Sequence, residues 1–223
     1  MSLHPSVPFT RDARHDNLIV TRHPLIEHKI SLLRSIETPK KVFKELIDEI
    51  AQLLAYEVTA DLETEPIDVE TPLETMEGSR VRGDRIVIVP VLRAGLGMVE
   101  GILRLVPTAR VGHIGLQRDH DTLEPADYYF KIPPRVEDSL YVVTDPMLAT
   151  GGSASAAVAS LKRRGARSIR LMVIVAAPEG VDRMGADHPD VPVYAAALDR
   201  ALNDRGYILP GLGDAGDRLF GTE

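Results

Sequence analysis

The sequence predicts a single α/β domain built on a mainly parallel β-sheet with helices covering both faces. Runs of β-branched residues alternate with helical patterns between residues 85 and 198, and this alternation indicates parallel βαβ units. At 223 residues the chain is long enough to bury one core without requiring a second domain. Its composition, 44% hydrophobic and 26% charged, is typical of a soluble globular protein.

Composition excludes several classes of function. No apolar run approaches the length of a membrane span, and residues 1–17 carry no signal-peptide pattern, so we expect a cytoplasmic protein with no membrane partner. The absence of cysteine excludes disulfides, thiolate nucleophiles and Cys-ligated metals. A net charge of −7 argues against a nucleic-acid partner, although a few placed cations suffice for a small anionic substrate.

The N-terminal part of the chain predicts an arm followed by helices. Residues 1–20 lack clear periodicity and are interpreted as an arm that packs on a partner subunit or on nothing. A helical pattern begins at Leu25, and Thr38-Pro39 predicts an N-cap with proline at the first position of a second helix. The apolar face of that second helix is predicted to contain Val42, Phe43, Leu46, Ile47, Ile50, Leu53 and Leu54.

The rest of the chain predicts a hairpin and then the sheet. Residues 65–84, rich in Pro, Glu and Gly, indicate a hairpin excursion. Helices are expected near 95–105, over 153–164 with a stop at Gly165, and between the last two strands. The predicted strands cover residues 85–91, 110–116, 140–144, 168–177 and 191–198.

The segment from Asp145 to Ser153 is the strongest candidate site. It follows an apolar strand, contains Thr-Gly-Gly-Ser and enters a helix, and ligands of parallel sheets bind at such strand ends, where the helix offers free N–H groups. Gly151 and Gly152 permit a close approach to an anion, Thr150 and Ser153 add hydroxyls, and Asp145 is placed to accept hydrogen bonds from ribose hydroxyls. Taken alone, Gly-Gly-Ser favours an ordinary strand-to-helix turn whose glycines serve only packing.

Two further segments carry candidate residues. Val89 to Gly97 places Arg93 at a strand-to-helix turn, where its planar fork suits bidentate contacts with a diphosphate; a surface arginine that caps a helix is the alternative. The polar segment from Gln117 to Tyr129 is predicted to be a loop of the kind that often acts as a lid. A metal site at His113 and His120 is disfavoured because no third ligand stands at a characteristic spacing.

The C-terminal segment from Gly206 to Gly216 predicts a pocket lined by backbone. It contains four glycines with Asp214 among them, and apolar residues are interleaved with these. A solvated tail, which is the alternative interpretation, has no reason to carry Tyr207, Ile208 and Phe220. The segment is therefore expected to be ordered for a functional reason.

These motifs together resemble the type I phosphoribosyltransferases, and within them the uracil phosphoribosyltransferases. The similarity covers about His23 to the C-terminus, and it includes Tyr56 to Thr64, Thr122 to Pro125 and Ala176 to Gly180. The superfamily usually has two acids at the end of the phosphate-loop strand, whereas here Pro146 follows Asp145. Asp-Pro-Met-Leu-Ala-Thr-Gly-Gly-Ser is the form that looks like the uracil branch.

The resemblance implies a type I phosphoribosyltransferase-like fold, with a phosphoribosyltransferase domain over residues 21–223 and a base-binding hood over 199–223. It implies the reaction of uracil with 5-phosphoribosyl 1-diphosphate (PRPP) to give UMP and pyrophosphate, with Arg93, Arg118, Asp145 and Asp214 as catalytic residues. The implied uracil site contains Ile208, Gly213, Asp214 and Ala215. The implied PRPP site contains Arg93, Arg118, Asp145, Pro146, Met147, Leu148, Ala149, Thr150, Gly151, Gly152, Ser153 and Asp214.

By the same resemblance, Mg²⁺ is carried by the diphosphate rather than by a protein site, GTP is a candidate allosteric activator, and the protein is a homo-oligomer. Two alternatives remain at this point: a nucleotide-sensing pyrimidine attenuation regulator, which needs a basic face, and a purine phosphoribosyltransferase. A nucleoside-triphosphate hydrolase is disfavoured because the sequence contains no Gly-x-x-x-x-Gly-Lys-Ser/Thr loop.

Overall fold

The computed structural model describes residues 9–12, 14–82, 85–118, 125–133 and 138–222. Its helices are α1 (Pro24–Arg34), α2 (Lys40–Val58), α3 (Val99–Leu105), α4 (Gly152–Arg163), α5 (Pro178–Asp187) and α6 (Ala215–Phe220), with a 3₁₀ helix at Ala94–Met98. Its strands are β1 (Phe9–Asp12), β2 (His15–Thr21), β3 (Thr64–Glu70), β4 (Thr75–Val81), β5 (Ile86–Pro90), β6 (Arg110–Val111), β7 (His113–Arg118), β8 (Pro125–Lys131), β9 (Leu140–Leu148), β10 (Ser168–Ala176), β11 (Val193–Leu198), β12 (Ala201–Leu202) and β13 (Ile208–Leu209).

A seven-stranded sheet with the order β1-β2-β11-β10-β9-β5-β6 forms the centre of the fold. Its strands pair in parallel except at the β1–β2 edge, which is antiparallel. Three two-stranded antiparallel ribbons, β3–β4, β7–β8 and β12–β13, project from this frame. The predicted parallel α/β architecture is confirmed.

The sheet is buried on both faces because its central strands are apolar throughout. Neighbouring residues of β5 point to opposite sides: Ile88 lies in the core shared with α1, α2, α3 and α6, and Val89 lies in the core shared with α4 and α5. A strand buried on both faces requires an uninterrupted apolar run, and Ile-Val-Ile-Val supplies one. Within the described ranges, no helix is long and apolar enough to cross a membrane.

Helix α2 begins differently from the prediction. Pro39 is its N-cap rather than its first residue, and no side chain caps the helix. The Thr38 hydroxyl instead donates to the carbonyl of Leu32, at 2.5 Å. The predicted apolar face packs on the core except at its margin, where Val42 is exposed.

Three strand predictions are corrected. Residues 15–21, assigned largely to the arm, form β2 and pair in parallel with β11. The strand predicted over 110–116 is divided at Gly112: β6 pairs with β5, whereas β7 pairs with β8, so part of the predicted loop 117–129 is strand. The strand predicted over 140–144 continues to Leu148 because β10 pairs with it along that length. The division into an arm, a domain and a base-binding hood remains a prediction.

Candidate active site

The turn that carries Arg93 packs against β9 at Thr144. The N–H of Val91 donates to the Thr144 carbonyl at 2.9 Å, and the Thr144 hydroxyl donates to the Gly95 carbonyl at 3.3 Å. A Cβ at Gly95 would lie 2.3 Å from the Thr144 carbonyl oxygen, so only glycine fits. The close approach places the Arg93 turn, which contains a cis Leu92–Arg93 peptide, beside the strand position that precedes Asp145.

The loop that joins β9 to α4, called the phosphate loop after its predicted role, passes through a left-handed glycine. Gly151 has φ of 76°, a conformation that other residues adopt only with strain, and its carbonyl accepts from the Ser155 N–H at 2.9 Å to open the helix. Helix α5 supports the loop from behind: a Cβ at Gly180 would lie 2.5 Å from the Ala149 carbonyl oxygen. The loop is therefore fixed by backbone contacts, and its Thr150 and Ser153 side chains are exposed.

Asp145 lies inside β9, ahead of this loop. Its carboxylate accepts a hydrogen bond from the Met147 N–H at 3.2 Å, and burial raises the pKa of the carboxyl to about 7. Pro146 cannot donate to the sheet, and the β9–β10 pairing passes from Asp145 to Met147 without it. A buried acid with a pKa near neutrality is typical of functional sites.

The C-terminal hood is held by a buried ion pair. The Arg34 guanidinium contacts both carboxylate oxygens of Asp199, at 2.5 and 2.7 Å, and donates to the Gly211 carbonyl at 2.6 Å. Asp199 accepts in turn from the Gly211 N–H at 2.8 Å. Because these contacts use both backbone groups of Gly211, which has φ of 63°, they fix the turn that joins β13 to α6.

Helix α6 brings the hood to the Arg93 turn. Asp214 is its N-cap and accepts from the Asp217 N–H at 3.0 Å, while the carboxylate of Asp217 lies 3.5 Å from the Arg93 guanidinium. At the other end of the hood, a Cβ at Gly206 would lie 3.9 Å from the Thr150 side chain. The hood therefore adjoins both the Arg93 turn and the phosphate loop.

The structure thus brings together three of the four predicted segments. Ile208 and Ala215 are buried, Asp214 is half-buried, and Gly213 is exposed. Arg118 is the last residue of β7, and its side chain lies outside the described residues, as do residues 119–124 with His120. Among the described residues, no group of three or more acidic or histidine side chains is arranged to hold a metal ion.

Sequence reasoning missed three residues around the site. Arg34 and Asp199 hold the hood, and Arg183 of α5 lies against the phosphate loop, its Nη1 atom 3.7 Å from the position of a Cβ at Gly152. Arg34 and Asp199 are separated by 165 residues, so no local pattern relates them. For Arg183, the only local feature in the sequence is an oppositely charged residue four positions later, Asp187.

Comparison with known proteins agrees with this geometry. The sequence profile of the uracil phosphoribosyltransferase family matches residues 20–222. The uracil phosphoribosyltransferase of Listeria welshimeri is 57% identical over 207 residues, covering 93% of this chain and 99% of its own length.

Solved structures give the same result for the fold. A protein of Aquifex aeolicus superposes with a TM-score of 0.86 at 36% identity, covering 92% of this chain and 99% of its own. The hypoxanthine phosphoribosyltransferase of Trypanosoma cruzi, with a TM-score of 0.50 at 13% identity over 71% of this chain and 76% of its own, shares the fold alone. By its sequence profile and its relatives, the chain belongs to the uracil phosphoribosyltransferase family.

Proposed function

We propose that the protein transfers the 5-phosphoribosyl group of PRPP to uracil, forming UMP and pyrophosphate. The observation that carries this proposal is the convergence of a phosphate loop, a cationic turn and a glycine-rich hood at the carboxyl ends of β5 and β9. The Thr150 side chain faces the hood, 3.9 Å from the position that a Cβ of Gly206 would occupy, and the Arg93 guanidinium lies 3.5 Å from the Asp217 carboxylate of α6. A sugar phosphate and a base held there would lie side by side.

The donor would be held by its phosphate and its ribose. The 5-phosphate fits the start of α4, where backbone N–H groups and the hydroxyls of Thr150 and Ser153 face an anion. Asp145 would accept hydrogen bonds from the ribose hydroxyls. Such bonds favour the charged form of a carboxyl, so donor binding would lower the pKa of Asp145 from its value of about 7 in the free protein.

Catalysis follows from the weak nucleophilicity of uracil. The C1–O bond to the diphosphate loosens first, positive charge builds on the ribose ring, and negative charge builds on the leaving group. Arg93 and Arg118 would stabilise the departing pyrophosphate, as preorganised cations do for developing charge. By analogy with an oxyanion-hole donor, the loss of one such group costs about 3 to 4 kcal/mol.

Mg²⁺ enters as part of the substrate. Protein-bound Mg²⁺ keeps several waters and is held by one or two carboxylates together with substrate phosphates. Burial raises the pKa of the Asp145 carboxyl because it penalises the charged form, and a nearby cation would stabilise that charged form. We therefore assign Mg²⁺ to the diphosphate and ribose of PRPP, with Asp145 as the protein group beside it.

The hood would select the base through its backbone. One edge of uracil presents a carbonyl, an N–H and a second carbonyl, which need a donor, an acceptor and a donor. The backbone at 213–215 and at Ile208 would supply that order, and the turn at Gly211 between these positions is held by Arg34 and Asp199. Cytosine would leave two groups unmatched at about 1 to 3 kcal/mol each, which corresponds to roughly a hundredfold discrimination or more.

The test is pyrophosphate release with PRPP and Mg²⁺ in the presence of uracil, 5-fluorouracil, cytosine, xanthine or hypoxanthine. We expect uracil to react, and 5-fluorouracil as well because its recognition edge is intact. Cytosine within about threefold of uracil in kcat/KM would overturn the base assignment, and release driven by a purine would favour a purine phosphoribosyltransferase. No turnover with any base would favour the attenuation regulator.

The role of Asp214, as a base or as a group that positions uracil, is separable by Asp214→Asn. Asparagine is also a favourable N-cap residue, so the start of α6 should keep its structure in this variant. If the carboxylate removes the proton, Asp214→Asn should lower kcat and also remove the acid limb of the parent's pH–rate profile; a profile of unchanged shape would support a positioning role. GTP activation, a homo-oligomeric state and a cytoplasmic location are further proposals that rest on the resemblance.

A further inference from the structure

Arg183 is a cation beside the phosphate loop to which the mechanism assigns no role. It lies on α5, and its aliphatic stem runs along Gly151: a Cβ at Gly151 would be 3.2 Å from Cβ and 3.4 Å from Cδ of Arg183. Its guanidinium then reaches the first residue of α4, with Nη1 at 3.7 Å from a Cβ at Gly152. The charge is thus directed to the helix end at which an anion would bind.

Two groups hold this guanidinium in place. The Nε–H of Arg183 donates to the Asp187 carboxylate at 3.3 Å, and the Ser155 hydroxyl donates to the same oxygen at 2.7 Å. The hydrogen bond from Ser155, with Arg183 as a smaller cause, keeps the pKa of Asp187 below its usual range, so the carboxylate is ionised at neutral pH. Because Ser155 is on α4, Asp187 connects Arg183 to the helix that carries the phosphate loop.

We infer that Arg183 contacts the 5-phosphate of the substrate, with Asp187 and Ser155 as positioning residues. This inference rests on the proposed function, because the ligand it takes is the phosphomonoester of PRPP or UMP. Because Nε donates to Asp187, the Nη groups are the donors of the guanidinium that lie nearest to Gly152. Hydrogen bonds from a guanidinium to a phosphate are charge-assisted and therefore stronger than bonds between neutral groups. The side chain is 49% exposed, which moderates the effect through solvent screening.

The inference is tested by Arg183→Gln, with Arg163→Gln as the matched control. Arg163 lies in the last turn of α4, at the opposite end of the helix from the phosphate loop. Its replacement therefore removes one positive charge without altering the loop. We expect Arg183→Gln to raise KM for PRPP and the inhibition constant of ribose 5-phosphate by roughly tenfold. The inhibition constant of pyrophosphate, which has no 5-phosphate, should stay within about twofold of the parent.

The outcomes separate this inference from the proposed function. If the parent is active and Arg183→Gln keeps the parent's KM for PRPP and inhibition constant of ribose 5-phosphate, the inference alone is overturned. An equal loss of affinity for ribose 5-phosphate and for pyrophosphate would overturn it as well. Partial recovery in Arg183→Lys, which restores a point charge without the fork, supports it. If the parent forms no nucleotide, the proposed function fails, and calorimetric titration of both proteins with ribose 5-phosphate still decides the role of Arg183.

Discussion

Gly152→Val tests the phosphate loop at the position where a side chain fits the protein but not the ligand. A Cβ at Gly152 would lie 3.7 Å from Arg183 Nη1 and 3.8 Å from Thr150 Oγ1. These are ordinary contacts with the ends of two side chains that can move, so we expect the folded chain to accept the substitution. A phosphate at the start of α4, however, must approach the backbone N–H groups directly. We expect the variant to fold normally and to lose PRPP binding.

The magnitude follows from the contacts that the side chain would block. Hydrogen bonds to a charged group contribute about 1.5 to 3 kcal/mol each. If valine holds the phosphate away from two N–H groups, binding weakens by about 3 to 6 kcal/mol, which is at least a hundredfold in Kd. The free energy of unfolding without ligand should change by no more than about 1 kcal/mol, because the backbone of Gly152 is helical.

Thermal unfolding with and without PRPP provides the assay. At a concentration of about 100 times the parent's Kd, PRPP stabilises the parent by about 2.7 kcal/mol and the variant by about 0.4 kcal/mol. For a protein of this size these values correspond to Tm increases of roughly 5 to 10 °C and about 1 °C. Gly185→Ala, whose Cβ would lie 3.6 Å from Asn17, is the control and should respond as the parent does. Equal stabilisation of Gly152→Val and the parent would refute the reasoning.

Four further substitutions probe other parts of the site. Arg93→Ala and Arg118→Ala should each lower kcat far more than they raise KM for uracil, and steady-state kinetics with unchanged turnover in both variants would contradict the assignment. Because the folded pKa of Asp145, about 7, exceeds its ordinary value of 3.8, the free energy of unfolding of the ligand-free protein should fall as the pH rises from about 4 to about 7. Asp145→Asn should abolish that fall in urea titrations, and a variant with the parent's pH profile would show that another group is responsible. Arg34→Ala should lower the free energy of unfolding by about 3 kcal/mol because Asp199 then keeps a buried, unpaired charge; urea denaturation measures this, and a loss below about 1 kcal/mol, as for a surface pair, would exclude it.

The sequence alone determined the architecture and the strand-to-helix turn at which a phosphate site is predicted. Residues 86–90 and 140–143 are apolar without interruption, and only strands covered on both faces need such a pattern. Thr150 to Ser153 then follows a strand and opens a helix, and that local order predicts an anion site whatever surrounds it. These features depend on neighbours in the sequence, which a pattern can reveal.

Strand pairing decided what local patterns could not. Residues 15–21 lack a periodic signal, and they are a strand because β11 offers a free edge to pair with. The strand was predicted to end at Thr144, but β10 continues to pair with Met147 and Leu148 and carries β9 past Pro146. Asp145 is consequently buried within the sheet, which is the reason its pKa is raised.

The interactions that hold the hood and flank the phosphate loop depend on the tertiary structure alone. Arg34 meets Asp199 across 165 residues, and Arg183 reaches Gly152 because α5 packs beside α4. Composition and spacing determine which side chains are present and which local elements they form. Contacts between elements distant in the chain depend on how those elements pack, because an ion pair forms wherever folding brings opposite charges within reach.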